Sequence, residues 1–547
     1  MRTMGSETRR PAGAAPRGRG RGRDRAAWGL GTIAVAVVLL LAYLRTAGTV
    51  PVLSDGAGNA LQAWDMLHGN LLLHGWWVTD VSFYTTELPQ YMLVEAVAGL
   101  RPEVVHICAA LTYTLLVLLA AFAARGRARG RAGLARAALA AAIMLAPQPG
   151  APAWILLSSP DHVGTAVPVL VLVLLLDRAR PRWYVPVIAC ALLAWAIVGD
   201  PLTLVIGVAP LALACLLRVR RGRWFELSLA AAALVAVPVA LAAGHAVRAL
   251  GGFATNKGVS SLVPASVLPG NVSLTGQSFL AIFGADVGAA RGGLNVAFAV
   301  VHLAGVALVL GAVAVAAWRL LRYLGGRGEL AADVLVIAVV ANVAGYFLGF
   351  RIPNIYAAHE IGPVLSLGAA LAGRIAGGAR VWDRGWAPAA GTRARPVSRA
   401  RVAARAALAA GLACYAAMLG VAAARAQPPP QNVALAAWLT RHDLRSGLAP
   451  YWQGTSVTLD TGGRIDMVSV VVGRHGRLAP RHWEEDLRLA DPATDSADFV
   501  VVAPGGVITE AEARRSFGRP VRVYRAAGDT IMVWRENLLR ELGPAVS

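Results

Sequence analysis

The chain has 547 residues, of which 56% are apolar and 15% are charged, and its mean hydropathy is +0.56. This composition excludes an ordinary soluble domain and is typical of a polytopic membrane protein. The net charge of +21 does not indicate nucleic-acid binding, because the basic residues lie between hydrophobic runs, where orientation in a bilayer explains them better.

Residues 1–27 are an Arg-rich, low-complexity segment that we predict to be a disordered cytoplasmic tail lying against anionic lipid. A membrane domain is predicted over residues 28–425. It holds about eleven apolar runs long enough to span a bilayer, some only with a break. These runs are 28–46, 104–124, 137–157, 163–176, 183–199, 201–217, 227–246, 294–317, 331–349, 361–378 and 403–424.

The basic residues of the connecting segments predict the orientation of the chain. With the N-terminus in the cytoplasm, the inside segments hold 31 Arg, whereas the outside segments hold only Arg101, Arg248, Lys257, Arg291 and Arg351. This bias follows the positive-inside rule. We therefore expect a multi-pass plasma-membrane protein with a cytoplasmic N-terminus. The four Cys all lie in apolar runs and indicate neither a disulfide framework nor a metal framework.

The first outside loop, residues 48–103, is too long to be a simple connector. The spacing of polar and apolar residues from Asp55 onward predicts an amphipathic helix, and Pro89 is expected to begin the next short helix. The loop also carries six acids, among them Asp80 and Glu87 in a turn-rich, aromatic setting.

Residues 426–547 begin with the hinge-like sequence QPPPQ and have the patterns of a small extracytoplasmic α/β domain. Helices are predicted at 432–444 and 508–518, and strands at 456–462, 465–472 and 498–503, with a hairpin over 521–535. Tyr451 and Trp452 are suitable for stacking on sugar faces, or for the core of the domain.

The layout resembles the GT-C superfamily of membrane glycosyltransferases, whose members have a cytoplasmic N-terminus, one helix, and then a large outside loop that begins with an acidic residue. Asp55 has the place of that acid, although Gly56 follows it where many members carry a second acid. Residues 345–374 are similar to the late RY…P stretch of several members. The resemblance covers most of residues 28–425 in topology and two short motifs in sequence. It implies a divergent bacterial enzyme similar to polyprenyl-phosphate-sugar-dependent mannosyl- and arabinosyltransferases.

The resemblance implies transfer of a sugar from a lipid-phosphate donor to an envelope glycan, glycolipid or protein on the outer face. Asp55 would be the general base of an inverting displacement, because a carboxylate can take the proton of the attacking hydroxyl. Arg351 is the first choice for the donor phosphate. No cofactor is identified; acidic residues can hold a divalent metal, but their spacing does not indicate one. The candidate substrate-binding residues are Asp80, Glu87, Arg351, Lys257, Arg248, Arg291, His359, Glu360, Asp161 and His162.

Each of these residues has a structural alternative. Asp55 can be a helix N-cap, as can Asp161 beside His162, and Arg351 can be an interfacial Arg whose charge reaches water. Asp200 lies between two apolar runs, where an acid is costly unless it faces a cavity. A noncatalytic envelope assembly protein and a lipid or solute transporter remain alternative functions. Convergence of Asp55, Asp80 and Arg351 on one cavity would favour the enzyme.

Overall fold

The computed structural model describes residues 19–219, 224–256, 262–323, 328–349, 351–377 and 399–546. Most of the chain up to residue 423 is helical, and an α/β region follows. In chain order the helices of the first part are α1 (Arg19–Ala47), α2 (Ser54–Leu67), α3 (Leu88–Ala98), α4 (Glu103–Arg125), α5 (Gly130–Met144), α6 (Ala151–Leu157), α7 (Asp161–Gly164), α8 (Ala166–Arg178), α9 (Tyr184–Gly199), α10 (Ala209–Val219), α11 (Trp224–Ala249), α12 (Leu268–Ile282), α13 (Gly293–Tyr323), α14 (Leu330–Gly349), α15 (Pro363–Ala376) and α16 (Arg399–Ala423).

Six helices of the described chain are long and apolar enough to cross a membrane: α1, α4, α11, α13, α14 and α16. Two bent pairs raise the number to eight if each is one span. The first joins α6 to α7 and α8 with a bend of 64°, and the second joins the 3-10 helix Ile355–Ile361 to α15 with a bend of 54°. The chain is therefore a multi-pass membrane protein, but the predicted count of about eleven spans is not confirmed.

The number of spans is lower than predicted for reasons that lie in the local sequence. The apolar run 137–157 is not one helix, because the segment with Pro147 and Pro149 separates α5 from α6, and proline cannot continue the backbone hydrogen bonds of a helix. α9 has only 16 residues, and α10 follows a short π-helical turn at Leu204–Val208. α1 begins at Arg19, within the segment predicted to be a tail. Residues 1–18 lie outside the described residues.

Both helices predicted in the first loop are confirmed as α2 and α3, and they pack on each other and on α4. This small core contains one isolated acid. Glu95 on α3 is 1% exposed, and neither of its carboxyl oxygens has a hydrogen-bond partner among the described residues. Burial raises the pKa of Glu95 to about 9, because a charged carboxylate loses its hydration there.

We expect Glu95→Gln to stabilise the protein at neutral pH. The raised pKa means that folded Glu95 keeps a proton that the unfolded chain releases above pH 4.5, so wild-type stability falls as the pH rises from 4.5 towards about 9. The amide of Gln has no proton to release, so the variant should keep the free energy of unfolding that the wild type loses. This difference is on the order of 3 kcal/mol at pH 7 and vanishes near pH 4.5. Thermal unfolding at both pH values measures the difference, with exposed Glu536→Gln as the matched control. A gain of equal size at both pH values would contradict the buried neutral acid.

A buried ion pair joins α10 to α14. The guanidinium of Arg218 donates from Nη2 to Asp333 Oδ2 at 2.5 Å and to the carbonyl oxygen of Gly328 at 2.7 Å. Arg218 is 3% exposed and Asp333 is 5% exposed, so both charges of the pair are buried.

The C-terminal region is an α/β domain, as predicted. Its helices are α17 (Val433–Arg441), α18 (Tyr451–Asp460) and α19 (Glu510–Phe517). Six strands form one sheet: β3 (Ser446–Ala449), β4 (Asp466–Val472), β5 (Leu478–Pro480), β7 (Phe499–Val502), β8 (Arg522–Ala526) and β9 (Asp529–Val533). Their order is β5-β4-β3-β7-β9-β8, in which β3 pairs in parallel with β4 and β7 and the other pairs are antiparallel.

The predicted strand at 456–462 is wrong, because residues 451–460 form α18. Its alternating Val and Thr residues favour a strand. The segment is instead helical and packs mainly against α2 and β4, so tertiary packing overrides the local preference.

A second, three-stranded sheet joins this domain to two loops of the helical part. Its strands are β1 (Trp76–Val78) in the first loop, β2 (Ala254–Thr255) after α11, and β6 (Glu485–Asp486), in the order β2-β1-β6. Trp77 also stacks on His482, with ring centroids 3.8 Å apart. The C-terminal domain is thus held against the first loop immediately beside residues 481–484.

Candidate functional site

A cavity of about 310 Å³ lies between the first loop, the bend at α7, the turn 355–361 and the C-terminal domain. Six of the residues predicted from the sequence meet in it: Asp55, Asp80, Asp161, His162, His359 and Glu360. The C-terminal domain supplies Tyr451, Trp452, Arg481, Trp483 and Glu484. The cavity therefore brings together residues that are far apart in the chain.

Asp55 lies in the first turn of α2, but it does not cap the helix. The N-cap position is Leu53, and no side chain caps this end. The carboxylate of Asp55 instead accepts a hydrogen bond from the Tyr451 hydroxyl at 2.8 Å. Burial and the nearby charge of Asp161 raise the pKa of Asp55, whereas the bond from Tyr451 lowers it. The N-cap interpretation of this residue is therefore excluded.

The same hydroxyl contacts a second carboxyl group. Tyr451, the first residue of α18, hydrogen-bonds to Glu484 as well as to Asp55. Tyr451 is 2% exposed and Glu484 is 5% exposed. Burial and the charge of Asp55 raise the pKa of Glu484 well above its ordinary value. Glu484 also has a positive φ of 47°, a conformation that non-glycine residues rarely adopt.

Gly58 on α2 makes the approach of Glu484 possible. A Cβ atom at this position would lie 2.5 Å from Glu484 Oε2. Only glycine therefore lets the carboxyl group of the C-terminal domain come this close to the helix that carries Asp55.

His162 lies between two carboxylates. Its Nδ1 is 2.8 Å from Asp200 Oδ2, and its Nε2 is 3.4 Å from Glu360 Oε1. Asp200 is fully buried and also accepts hydrogen bonds from Thr165 and from the backbone N–H of Leu202. A carboxylate that fixes one ring nitrogen and leaves the other facing a cavity is typical of a ligating or proton-transferring histidine.

His162, His359 and Glu360 can together hold a cation, because one ligand atom of each lies within 4.8 Å of the others. Imidazole nitrogens and a carboxylate oxygen suit a divalent transition metal. Asp161 faces the same cavity from an unusual backbone position, with a φ of 37°. Its Oδ1 is buried without a hydrogen-bond partner in the described part of the chain, and such strain is often found at functional sites.

The remaining predicted residues lie elsewhere. Arg248 lines a neighbouring cavity of about 210 Å³ that shares Asp80 with the first. Glu87 is buried behind the cavity, where it accepts a hydrogen bond from Thr86 and lies so near Gly164 that a Cβ there would clash with it.

The described chain places none of the other three predicted residues at either cavity. Arg291 donates to two carbonyl oxygens of its own loop. Arg351 is exposed and lines neither cavity, and Lys257 lies outside the described residues.

Three residues of the cavity were not predicted from the sequence: Arg481, Trp483 and Glu484. The guanidinium of Arg481 lies 5.4 Å from the ring centroid of Tyr451 and 5.2 Å from that of Trp483, which holds a cation beside the carboxylates. The segment RHWEED at residues 481–486 could have indicated them, because three consecutive acids and one Trp are unusual in a domain of short strands.

No known family matches the sequence, and no curated protein matches it. Among solved structures, the chain is similar to an oligosaccharyltransferase of Archaeoglobus fulgidus tethered to an acceptor peptide, with a TM-score of 0.47, 13% identity, and coverage of 86% of this chain and 69% of the other. The archaeal oligosaccharyltransferase with an inhibitory peptide and a dolichol-phosphate gives a TM-score of 0.45 and 12% identity, with the same coverage. A complex with zinc and sulfate gives 0.47 and 12%, covering 85% and 67%. Similarity at this level does not establish a family.

Proposed function

We propose that the chain is a membrane glycosyltransferase of the GT-C type that moves a sugar from a lipid-phosphate donor to a hydroxyl-bearing acceptor. The observation that carries the proposal is the position of Asp55. Its carboxylate faces a cavity that, through Asp80, adjoins an apolar cleft between membrane helices. A carboxylate placed beside an apolar cleft suits such a transfer.

The apolar cleft suits a lipid-linked donor. The walls of the second cavity come from α9, the π-helical turn and α11, and they are largely aliphatic. Arg248, in the last turn of α11, lies at this cavity together with Asp80. A polyprenyl chain would occupy the cleft, and the guanidinium would bind the phosphate, because Arg donates several hydrogen bonds to phosphate oxygens. Arg248 thus replaces Arg351 as the candidate phosphate contact.

The proposed reaction is a direct displacement at the anomeric carbon. The acceptor hydroxyl loses its proton to Asp55 as its oxygen forms the new bond to the anomeric carbon. The bond from that carbon to the phosphate oxygen breaks, and the phosphate leaves with the electron pair. Arg481 in the site cavity and Arg248 in the adjoining one stabilise the negative charge that develops on the phosphate. Attack opposite the leaving group inverts the anomeric configuration.

The proposal includes a location. With the N-terminus in the cytoplasm, the cavity opens on the outer face of the plasma membrane, where an envelope glycan, glycolipid or protein can reach it. A noncatalytic assembly protein on the same scaffold is the second candidate, and it is favoured by the missing acid after Asp55, where Gly56 stands.

The direct test is transfer of radiolabelled sugar by the purified chain in lipid nanodiscs, with a panel of polyprenyl-phosphate sugars as donors and envelope extract as acceptor. We expect labelled product whose anomeric configuration is opposite to that of the donor. A product with retained configuration would contradict the direct displacement. Absence of transfer with every donor would favour the noncatalytic assembly protein.

Arg248→Gln is expected to raise the KM for the donor by about 10- to 100-fold, because one charge-assisted contact to phosphate is lost. The transfer rate should therefore be lower than that of the wild type at subsaturating donor, and the difference should shrink as the donor concentration rises. Arg291→Gln is the matched control, since Arg291 bonds only to carbonyl oxygens of its own loop in the described chain. Equal KM values for the two variants would remove Arg248 from the donor site.

A further inference from the structure

The contacts of Tyr451 set a condition on the protons of the site. A neutral phenol carries one proton to donate, and its oxygen can accept further hydrogen bonds, whereas an ionised carboxylate can only accept. Tyr451 contacts Asp55 Oδ1 and Glu484 Oε2 with the same oxygen. Both contacts are hydrogen bonds only if one of the two carboxyl groups is protonated and donates to the phenol oxygen.

The surroundings of the two carboxyl groups differ. Glu484 is almost fully buried between α2 and the C-terminal domain, with Gly58 close against its carboxyl oxygen. Asp55 is half-buried and faces the cavity. The charged and titratable groups around the unit are Asp161 at α7, His359 in the turn 355–361, and Arg481 after β5. The guanidinium of Arg481 favours the ionised form of either carboxyl group, so the difference in burial decides between them. The proton therefore belongs on the more enclosed carboxyl group.

We propose that Glu484 is a positioning residue that holds the shared proton of the Asp55–Tyr451–Glu484 unit and, through Tyr451, keeps Asp55 ionised and oriented as the base. Protonated Glu484 donates to the oxygen of Tyr451, and the hydroxyl of Tyr451 donates to Asp55. If the proton were on Asp55, the direction of both hydrogen bonds would reverse and Asp55 could not accept a proton from the acceptor. This role rests on the proposed function, but the location of the proton does not.

The burial of Glu484 favours its protonated, uncharged form. The pKa of Glu484 is raised well above its ordinary value, first by burial and then by the charge of Asp55. Two interacting carboxyl groups release their protons in two separated steps. The unit therefore holds a single carboxyl proton over the interval between these steps.

Infrared spectroscopy measures the location of the proton without any substrate. pH-induced difference spectra of the wild-type chain in nanodiscs contain the C=O stretching bands of every acid that loses a proton above neutral pH. Subtracting the spectra of a variant isolates the band of the replaced residue. We expect this band to be missing in Glu484→Gln and retained in Asp55→Asn. Any other pattern, such as a band missing in Asp55→Asn alone or retained in both variants, overturns the assignment.

Gly58→Ala tests the geometry while keeping every carboxyl group. The new methyl group would occupy the place of Glu484 Oε2 and push the carboxyl group away from Tyr451. We expect the C=O band of Glu484 to move to higher wavenumber, because its hydrogen bond to the phenol oxygen is lost. Gly276→Ala on α12 is the control, since a Cβ there meets no other atom within 4 Å. An unmoved band in Gly58→Ala would show that Glu484 does not donate to Tyr451.

The pH profile tests the role of the unit in transfer. Tyr451→Phe removes the hydrogen bond to Asp55 but leaves its burial, so the acid limb of kcat should move to higher pH by about one unit. A purely structural Tyr451 would lower activity without moving the limb, and that result overturns the positioning role. If the wild-type chain transfers no sugar, the proposed function fails, whereas the infrared bands still decide where the proton lies.

Discussion

Asp55→Asn is expected to lower kcat for sugar transfer by about 100- to 10,000-fold, the usual contribution of a general base. The amide has nearly the same shape as the carboxylate and can still accept the hydrogen bond that Tyr451 donates at 2.8 Å. It cannot take the proton of the acceptor hydroxyl. Donor binding should change little, because the phosphate contacts proposed here come from arginine side chains. The measurement is single-turnover transfer at saturating donor.

Two controls separate the loss of the base from the loss of the fold. Asp443→Asn is the matched substitution at a surface position, where the carboxylate pairs only with exposed Arg445 in the described residues. Thermal unfolding of Asp55→Asn should remain close to that of the wild type. A variant that folds normally and transfers at the wild-type rate would remove Asp55 from the mechanism.

Arg218→Met is expected to destabilise the protein by about 3 to 5 kcal/mol, because it leaves the charge of Asp333 buried without its partner. The methionine fills most of the space of the Arg side chain, so the effect comes from the unpaired carboxylate rather than from a cavity. The carbonyl oxygen of Gly328 also loses the hydrogen bond that Arg218 donates at 2.7 Å. The midpoint of thermal unfolding in nanodiscs measures the change.

The double variant Arg218→Met/Asp333→Leu is the test of this explanation. Removing both charges should recover most of the stability, since replacing a buried ion pair by apolar side chains is often neutral or better. A double variant as unstable as Arg218→Met alone would mean that packing at this position, and not the unpaired charge, causes the loss.

The helices of the membrane domain could be predicted because the apolar runs are long and local in sequence. Each predicted run contains a helix, and the errors arise where a run contains a break, as at Pro147 and Pro149, or where its helix is short, as in α9. The run 137–157 had the length and hydropathy of one span, yet proline residues inside it end one helix before the next begins. Counting spans from hydropathy alone cannot detect such breaks when the flanking residues remain apolar.

Some residues of the candidate site could be predicted from the sequence, and others could not. Asp55 was predicted because its position after the first helix is a local property, and Asp161, His162, His359 and Glu360 were candidates for the same reason. Glu484 and Arg481 were not, because their meeting with Asp55 depends on how a distant domain docks. Pairing of β1 with β6 brings residues 481–486 to the first loop, and nothing in the local pattern of either strand specifies that pairing.

The small sheet that joins β1 to β6 also sets the time at which the site cavity can be complete. Its strands come from residues 76–78, 254–255 and 485–486, and the bond between Tyr451 and Asp55 joins residues 396 positions apart. A ribosome adds about 5 to 20 residues each second, so the first loop is complete well before its partner strand is synthesised. Until then, the Asp55 carboxylate faces water without its phenol and without the acid behind it. The site cavity is therefore complete only after the C-terminal domain has been synthesised and has docked on the first loop.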